Sequence, residues 1–289
     1  MWSRLSRVRS PSVSLPPLPP SGRCVEGCLK RPVKAIAIQD DIAWESKGAN
    51  RSSFEARVRA ASPPPGSLVV LPELCDVGFT MDATRAAADD SRAWASVLAR
   101  SLGVWLISGL AVRHESGVSN CAVVHDPRGD EAAIYRKSFL FTPAGEPQHY
   151  VSGEGAVTVD CGGLRVAPMI CYDLRFPELW RRAALDGAQC FACIASWPSV
   201  RQRHWDALLV ARAIECQAFV IGCNRTGTDP NAAYTGGSAI ISPLGDVLAH
   251  AGAGPGTASA DIDGATVTQW RAKFPALADA RPDIGIARR

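Results

Sequence analysis

The sequence predicts an α/β protein built on mixed sheets. Three observations lead there. From Val33 onward short apolar runs alternate with longer segments of helical texture. Two turn signals, Asp126-Pro127-Arg128-Gly129-Asp130 and Pro243-Leu244-Gly245-Asp246, sit between apolar runs and predict hairpins, hence antiparallel pairs beside the parallel ones. The chain has 289 residues, 47% hydrophobic and 20% charged. That is enough to bury about three quarters of its unfolded surface in one or two cores.

The elements follow in order. Val33-Lys34-Ala35-Ile36-Ala37-Ile38 is a strand and residues 52–61 a helix; residues 67–72 are a strand, and residues 83–101 a helix. Strands over 104–112 and 120–125 lead into the first hairpin turn, and Ile134-Tyr135-Arg136 ends the strand after it. The alternation then resumes: strand 165–172, helix 177–185, strand 190–196, helix 201–217, strand 218–224, and a second hairpin from 238–242 and 247–250. Helices alternating with strands and hairpins imply a mixed sheet, or two sheets covered by helices. Residues 31–289 are expected to form one domain. Residues 1–30 are expected to be a disordered tail, because residues 1–23 hold four Arg, six Ser, five Pro and no acid and lack any helical or strand period.

Composition narrows the function. Lys plus Arg is 31 against 28 for Asp plus Glu, a net charge of +3, too small for a nucleic-acid surface. No apolar run approaches the 18 to 20 residues of a membrane span, so a soluble protein is expected. Ten cysteines without a regular framework read as free thiols in a reducing, cytoplasmic setting. Cys24-x3-Cys28 and Cys190-x2-Cys193 have metal-like spacing, and a zinc-binding or redox cysteine module is the reading from a different class. The second pair lies in Cys190-Phe191-Ala192-Cys193-Ile194-Ala195, a small apolar run in which positions i and i+3 point to opposite faces, so both read as core.

Chemistry in α/β folds collects where buried strands end. Leu68-Val69-Val70-Leu71-Pro72 runs into Glu73, Ile134-Tyr135-Arg136 into Lys137, and Ala167-Pro168-Met169-Ile170 into Cys171. Singly, Cys171 could be core, Glu73 a capping or salt-bridged acid, and Lys137 a surface charge. Together they supply a nucleophile, a proton carrier and a cation for an oxyanion, without histidine.

Leu71-Pro72-Glu73-Leu74 with Gly78-Phe79, Tyr135-Arg136-Lys137, and Cys171-Tyr172-Asp173-Leu174-Arg175-Phe176-Pro177-Glu178-Leu179 closely resemble the signature stretches of the nitrilase superfamily of carbon–nitrogen hydrolases. The order Glu, Lys, Cys matches too. Ala195-Ser196-Trp197-Pro198, His204-Trp205, Ala211-Arg212-Ala213-Ile214-Glu215-Cys216-Gln217 and Gly222-Cys223-Asn224-Arg225 extend the resemblance, which spans residues 33–283. Trp197-Pro198, Gly222-Cys223-Asn224-Arg225-Thr226-Gly227 and Glu146-Pro147-Gln148-His149-Tyr150 are most similar to the omega-amidase branch.

The resemblance implies a four-layer α-β-β-α sandwich, usually a homodimer or larger homo-oligomer, with no metal or organic cofactor. It implies release of ammonia from the terminal amide of a small acid such as 2-oxoglutaramate or 2-oxosuccinamate, through a cysteine thioester. Deaminated glutathione and N-carbamoyl amino acids are the alternative substrates. Cys171 is then the nucleophile, Glu73 the base and acid, and Lys137 the oxyanion stabiliser beside the backbone N–H of Tyr172. Glu146 is a second acid that positions the lysine or the substrate. A thiolate at Cys171 would gain from the ammonium beside it. Arg175 could hold a substrate carboxylate by two parallel hydrogen bonds, or brace the loop by pairing with Asp173 or Glu178. Phe79, Trp197 and Tyr172 are expected as pocket walls, and His204 and Trp205 as structural.

Overall fold

The computed structural model describes residues 32–88 and 91–281. The expected tail over residues 1–30 and the Cys24, Cys28 pair lie outside the described residues. The first half of the chain contains β1 (Val33–Gln39), α1 (Lys47–Ala60), β2 (Leu68–Val70), α2 (Ala83–Ala86), α3 (Ser91–Leu102), β3 (Trp105–His114), β4 (Gly117–His125) and β5 (Glu131–Arg136). The second contains β6 (Val159–Cys161), β7 (Leu164–Ile170), α4 (Pro177–Leu185), β8 (Cys190–Ala195), α5 (Gln202–Cys216) and β9 (Phe219–Asn224). Then come β10 (Thr226–Thr228), β11 (Ala233–Thr235), β12 (Ala239–Ile241), β13 (Val247–His250), β14 (Gly256–Ile262) and α6 (Gly264–Lys273).

Two six-stranded mixed sheets result, in the orders β14-β1-β2-β3-β4-β5 and β13-β12-β9-β8-β7-β6. Each has three parallel strands at its centre, β1, β2, β3 in one and β7, β8, β9 in the other, with antiparallel strands outside them. Side chains alternate across β1. Ala35 and Ala37 join the core between the sheets with Val166, Ile194 and Ile221, while Ile36 and Ile38 join Phe54 and Val58 of α1 and Leu98 of α3. Small residues on the inner face let the sheets approach. The thiol of Cys223 on β9 donates across that interface to the carbonyls of Ile38 and Val70, at 3.3 and 3.2 Å. Helices α4 and α5 cover the second sheet. Trp180 stacks on Phe191 at 4.7 Å, and a Cβ at Gly222 would meet Leu209 Cδ1 at 2.4 Å, so only glycine lets α5 lie this close. The four layers are therefore α-β-β-α, as expected.

Several details differ from the sequence reading, which also left β6, β10, β11 and α6 unassigned. The helix over residues 83–101 is two, α2 and α3, since Ala88 N–H closes a tight turn on the Arg85 carbonyl. Helix α1 starts earlier than residue 52, because buried Asn50 ties its first turn to Ala43 and to the Asp76 carbonyl. The strand over 165–172 stops at Ile170, where Cys171 turns left-handed (φ 46°) and opens a 3₁₀ turn, Cys171–Arg175. Strand β14, with the polar sequence Gly-Thr-Ala-Ser-Ala-Asp-Ile, escapes the periodicity, because pairing along the whole of β1 makes it a strand.

Candidate active site

Glu73 lies just past β2, and its carboxylate is fully buried. One oxygen, Oε1, accepts from Lys137 Nζ at 2.8 Å and from Asn120 Nδ2 of β4 at 2.7 Å. The other accepts the backbone N–H of Ser196, past the end of β8, at 2.8 Å. Lys137 follows β5 and is also fully buried; its ammonium donates to Glu146 Oε1 and Oε2 at 3.1 and 2.9 Å. Glu146 accepts from Asn120 as well, at 3.0 Å, and from the backbone N–H of Phe141. Gly145, at φ 74°, makes the sharp turn that leads Glu146 inward. Burial works against the Lys137 ammonium, but Glu146 and Glu73 outweigh it and hold its pKa well above the ordinary lysine value.

Cys171 begins the turn at the end of β7. The turn is pinned by Asp173, whose carboxylate accepts the N–H groups of Ile170 and Phe139, each at 2.9 Å, and the Tyr135 hydroxyl at 2.7 Å. Burial still pushes Asp173 up to about 6. The Cys171 sulfur lies 4.0 Å from the Ser196 carbonyl oxygen, and the residue is half-buried, whereas the other described cysteines are buried. Its thiol is pushed well above the ordinary value, first by burial and then by Glu73, with Lys137 opposing. Two carboxylates, Glu73 and Glu146, share the one ammonium beside the thiol, so the pull of Lys137 on Cys171 is opposed.

Cys171 lines a cavity of about 380 Å³. Phe79, Tyr172, Arg175 and Trp197 line it as well. Lys137 Nζ sits 5.1 Å from the centre of the Phe79 ring, and Tyr172 packs edge-on against Phe141 and Phe176. Tyr172 lies in the first turn of the 3₁₀ segment, where backbone N–H groups lack partners within the helix. Arg175 Cζ lies 4.7 Å over the Trp197 ring, and its Nη2 is 3.2 Å from His204 Nδ1. Among the described residues Arg175 has no carboxylate partner, so the bracing ion pair with Asp173 or Glu178 is absent. His204 thus meets a cavity residue, while Trp205 is buried and donates to the Gly237 carbonyl at 2.8 Å.

Asn120 and Ser196, which complete the shell of Glu73, could not be found from sequence: an Asn inside an apolar strand and a Ser after one carry no distinguishing pattern. Arg201, Asp229 and Tyr234 also line the cavity and were not anticipated. Cys190 and Cys193 are both buried in the core. Among the described residues no group of three or more His, Cys, Asp and Glu is placed to hold a metal ion.

Known proteins share this arrangement of chain. Residues 34–272 match the carbon–nitrogen hydrolase family. The omega-amidase YafV of Escherichia coli strain K12 is 37% identical over 252 residues, 86% of this chain and 96% of that protein. The 2-oxoglutaramate amidase of Bacillus subtilis strain 168 is 34% identical over 252 residues, 86% of this chain and 97% of that protein. A CN-hydrolase superfamily protein from Xanthomonas campestris, solved with an arsenic adduct in its active site, superposes with a TM-score of 0.82 at 30% identity, covering 89% of this chain and 99% of that one. With the family match spanning nearly all the described residues, this chain belongs to the carbon–nitrogen hydrolases of the nitrilase superfamily, is most like their omega-amidase branch, and is a hydrolase of amide carbon–nitrogen bonds.

Proposed function

We propose that the protein releases ammonia from the terminal amide of a small 2-oxo acid, 2-oxoglutaramate or 2-oxosuccinamate, through a thioester on Cys171. The observation that carries this reading is one cavity with a half-buried thiol, an arginine without a carboxylate partner and, directly behind, the buried Glu73, Lys137 and Glu146. The names of the Escherichia coli and Bacillus subtilis relatives support the substrate class.

Cys171 Sγ attacks the amide carbon while its proton passes to Glu73. The carbonyl oxygen becomes an oxyanion facing the Tyr172 backbone N–H and Lys137. The Lys137 ammonium, held by Glu73 and by both oxygens of Glu146, supplies the positive charge for the oxyanion. Glu73 returns the proton to the nitrogen, the C–N bond breaks, ammonia leaves and the thioester remains. Water then attacks the thioester with Glu73 as base; the C–S bond breaks, and the acid and the thiol are released. Glu146 touches no reacting atom and keeps Lys137 charged and aimed. Arg175 holds the substrate's carboxylate, with Phe79, Tyr172 and Trp197 as walls. A cavity of about 380 Å³ suits a small acid. The test is an ammonia-release screen over 2-oxoglutaramate, 2-oxosuccinamate, deaminated glutathione, N-carbamoyl amino acids and glutamine. The reading expects the two 2-oxo acid amides to have the highest kcat/KM, and a preference for deaminated glutathione or an N-carbamoyl amino acid would overturn it.

A further inference from the structure

We infer that Arg201 is a specificity-determining residue: with Arg175 it makes the cavity accept a carboxylate that has no ammonium beside it, so that 2-oxo acid amides enter and amino acid amides such as glutamine are refused. The inference deepens the substrate reading above and rests on it for the site's use.

Arg201 ends the 3₁₀ turn Ser199–Arg201 that leads into α5. It is half-buried, lines the cavity, and holds its guanidinium carbon 5.5 Å from the centre of the Phe141 ring. Its backbone carbonyl accepts the indole N–H of Trp197 at 2.8 Å, and Trp197 is the ring on which Arg175 lies. Trp197 thus carries the Arg175 guanidinium on its ring and ties down the Arg201 backbone, while the Phe141 ring faces the Arg201 guanidinium. Neither has a carboxylate partner among the described residues, and two guanidiniums not paired with an acid leave a field that an anion relieves.

No acid among the lining residues is available for an ammonium group. Asp229 is the one carboxylate there, and its side chain is only 1% exposed. Its oxygens are taken by the Tyr234 hydroxyl at 2.6 Å and the N–H groups of Asn231 and Ala232 at 2.8 and 2.9 Å, with Arg225 Nη1 at 3.7 Å. A 2-oxo oxygen only accepts hydrogen bonds and an ammonium only donates them. Next to two guanidiniums the first is welcome and the second is repelled, which is selection by a repulsive element.

The experiment measures kcat/KM for four amides, 2-oxoglutaramate, the monoamide of glutaric acid, glutamine and butyramide, in wild type, Arg201→Gln and Arg201→Lys. In Arg201→Gln the ratio of glutaric monoamide to butyramide should fall by about 30-fold, mainly through KM, since one partner of a charge pair is lost. The ratio of 2-oxoglutaramate to glutamine should fall as well, and Arg201→Lys should restore part of both. Because each ratio is internal to one protein, any loss of folded fraction cancels. Ratios within roughly threefold of wild type in both variants would overturn the inference. A wild type that hydrolyses glutaric monoamide but not 2-oxoglutaramate would overturn the 2-oxo reading, while the glutaric monoamide to butyramide ratio would still judge Arg201.

Discussion

At Cys171 burial and Glu73 raise the thiol's pKa against the pull of Lys137. Alkylation by iodoacetamide, followed by intact mass and peptide mapping, should therefore modify Cys171 ahead of the buried cysteines, with a rate that keeps rising through about pH 9. A plateau already reached near about pH 6 would mean a preformed thiolate and a different way of activating the nucleophile. Lys137 carries a second prediction. Lys137→Ala should lower turnover by orders of magnitude and also cost about 3–5 kcal/mol of stability, because Glu73 and Glu146 would remain buried without their cation. Cys171→Ala removes no charge partner and should keep its melting temperature, so thermal unfolding of the two variants side by side separates the roles. An equal melting temperature in Lys137→Ala would contradict the buried ion-pair account. Residue types at strand ends were legible in the sequence because a charged or nucleophilic group directly after an apolar run is conspicuous. The pairing of Arg175 was not legible: whether it meets Asp173 depends on the Tyr135 hydroxyl and two backbone N–H groups already occupying that carboxylate.

Among the elements, β3 does more than its apolar pattern suggested. Gly109 passes beneath the segment that carries Glu73, and a Cβ there would meet the Pro72 carbonyl oxygen at 2.3 Å and Glu73 Cα at 2.6 Å. Gly109→Ala should displace the Glu73 backbone, lower kcat by at least about tenfold and cost about 1–3 kcal/mol, measured by steady-state kinetics and chemical denaturation. Wild-type kinetics in that variant would show that Glu73 tolerates movement. The long strands and hairpins were legible from period and turn residues. The break between α2 and α3 and the polar strand β14 were not, because an i→i+3 bond and partner pairing along β1 decided them. The left-handed turn at Cys171 was equally hidden, since nothing in a cysteine's chemistry announces φ 46°.

For the whole molecule, two sheets with parallel centres place the ends of β2, β7 and β8 beside one cavity, so residues far apart in sequence meet: Glu73 and Ser196 are joined by a hydrogen bond of 2.8 Å. A four-layer arrangement was beyond the periodicity alone, which is the same for any mixed α/β sheet; the spaced motifs carried that expectation. The expected homodimer or larger homo-oligomer is checked by sedimentation equilibrium, where a monomer at all concentrations would refute it.

The central claim is that Cys171, served by Glu73 and Lys137, hydrolyses the amide of a 2-oxo acid. It is met most directly by ammonia release from 2-oxoglutaramate, comparing purified wild type with Cys171→Ala at matched folded concentration. The account predicts turnover in the wild type and a loss of several orders of magnitude in Cys171→Ala, whose circular dichroism stays native. Comparable ammonia release by the two proteins would contradict it.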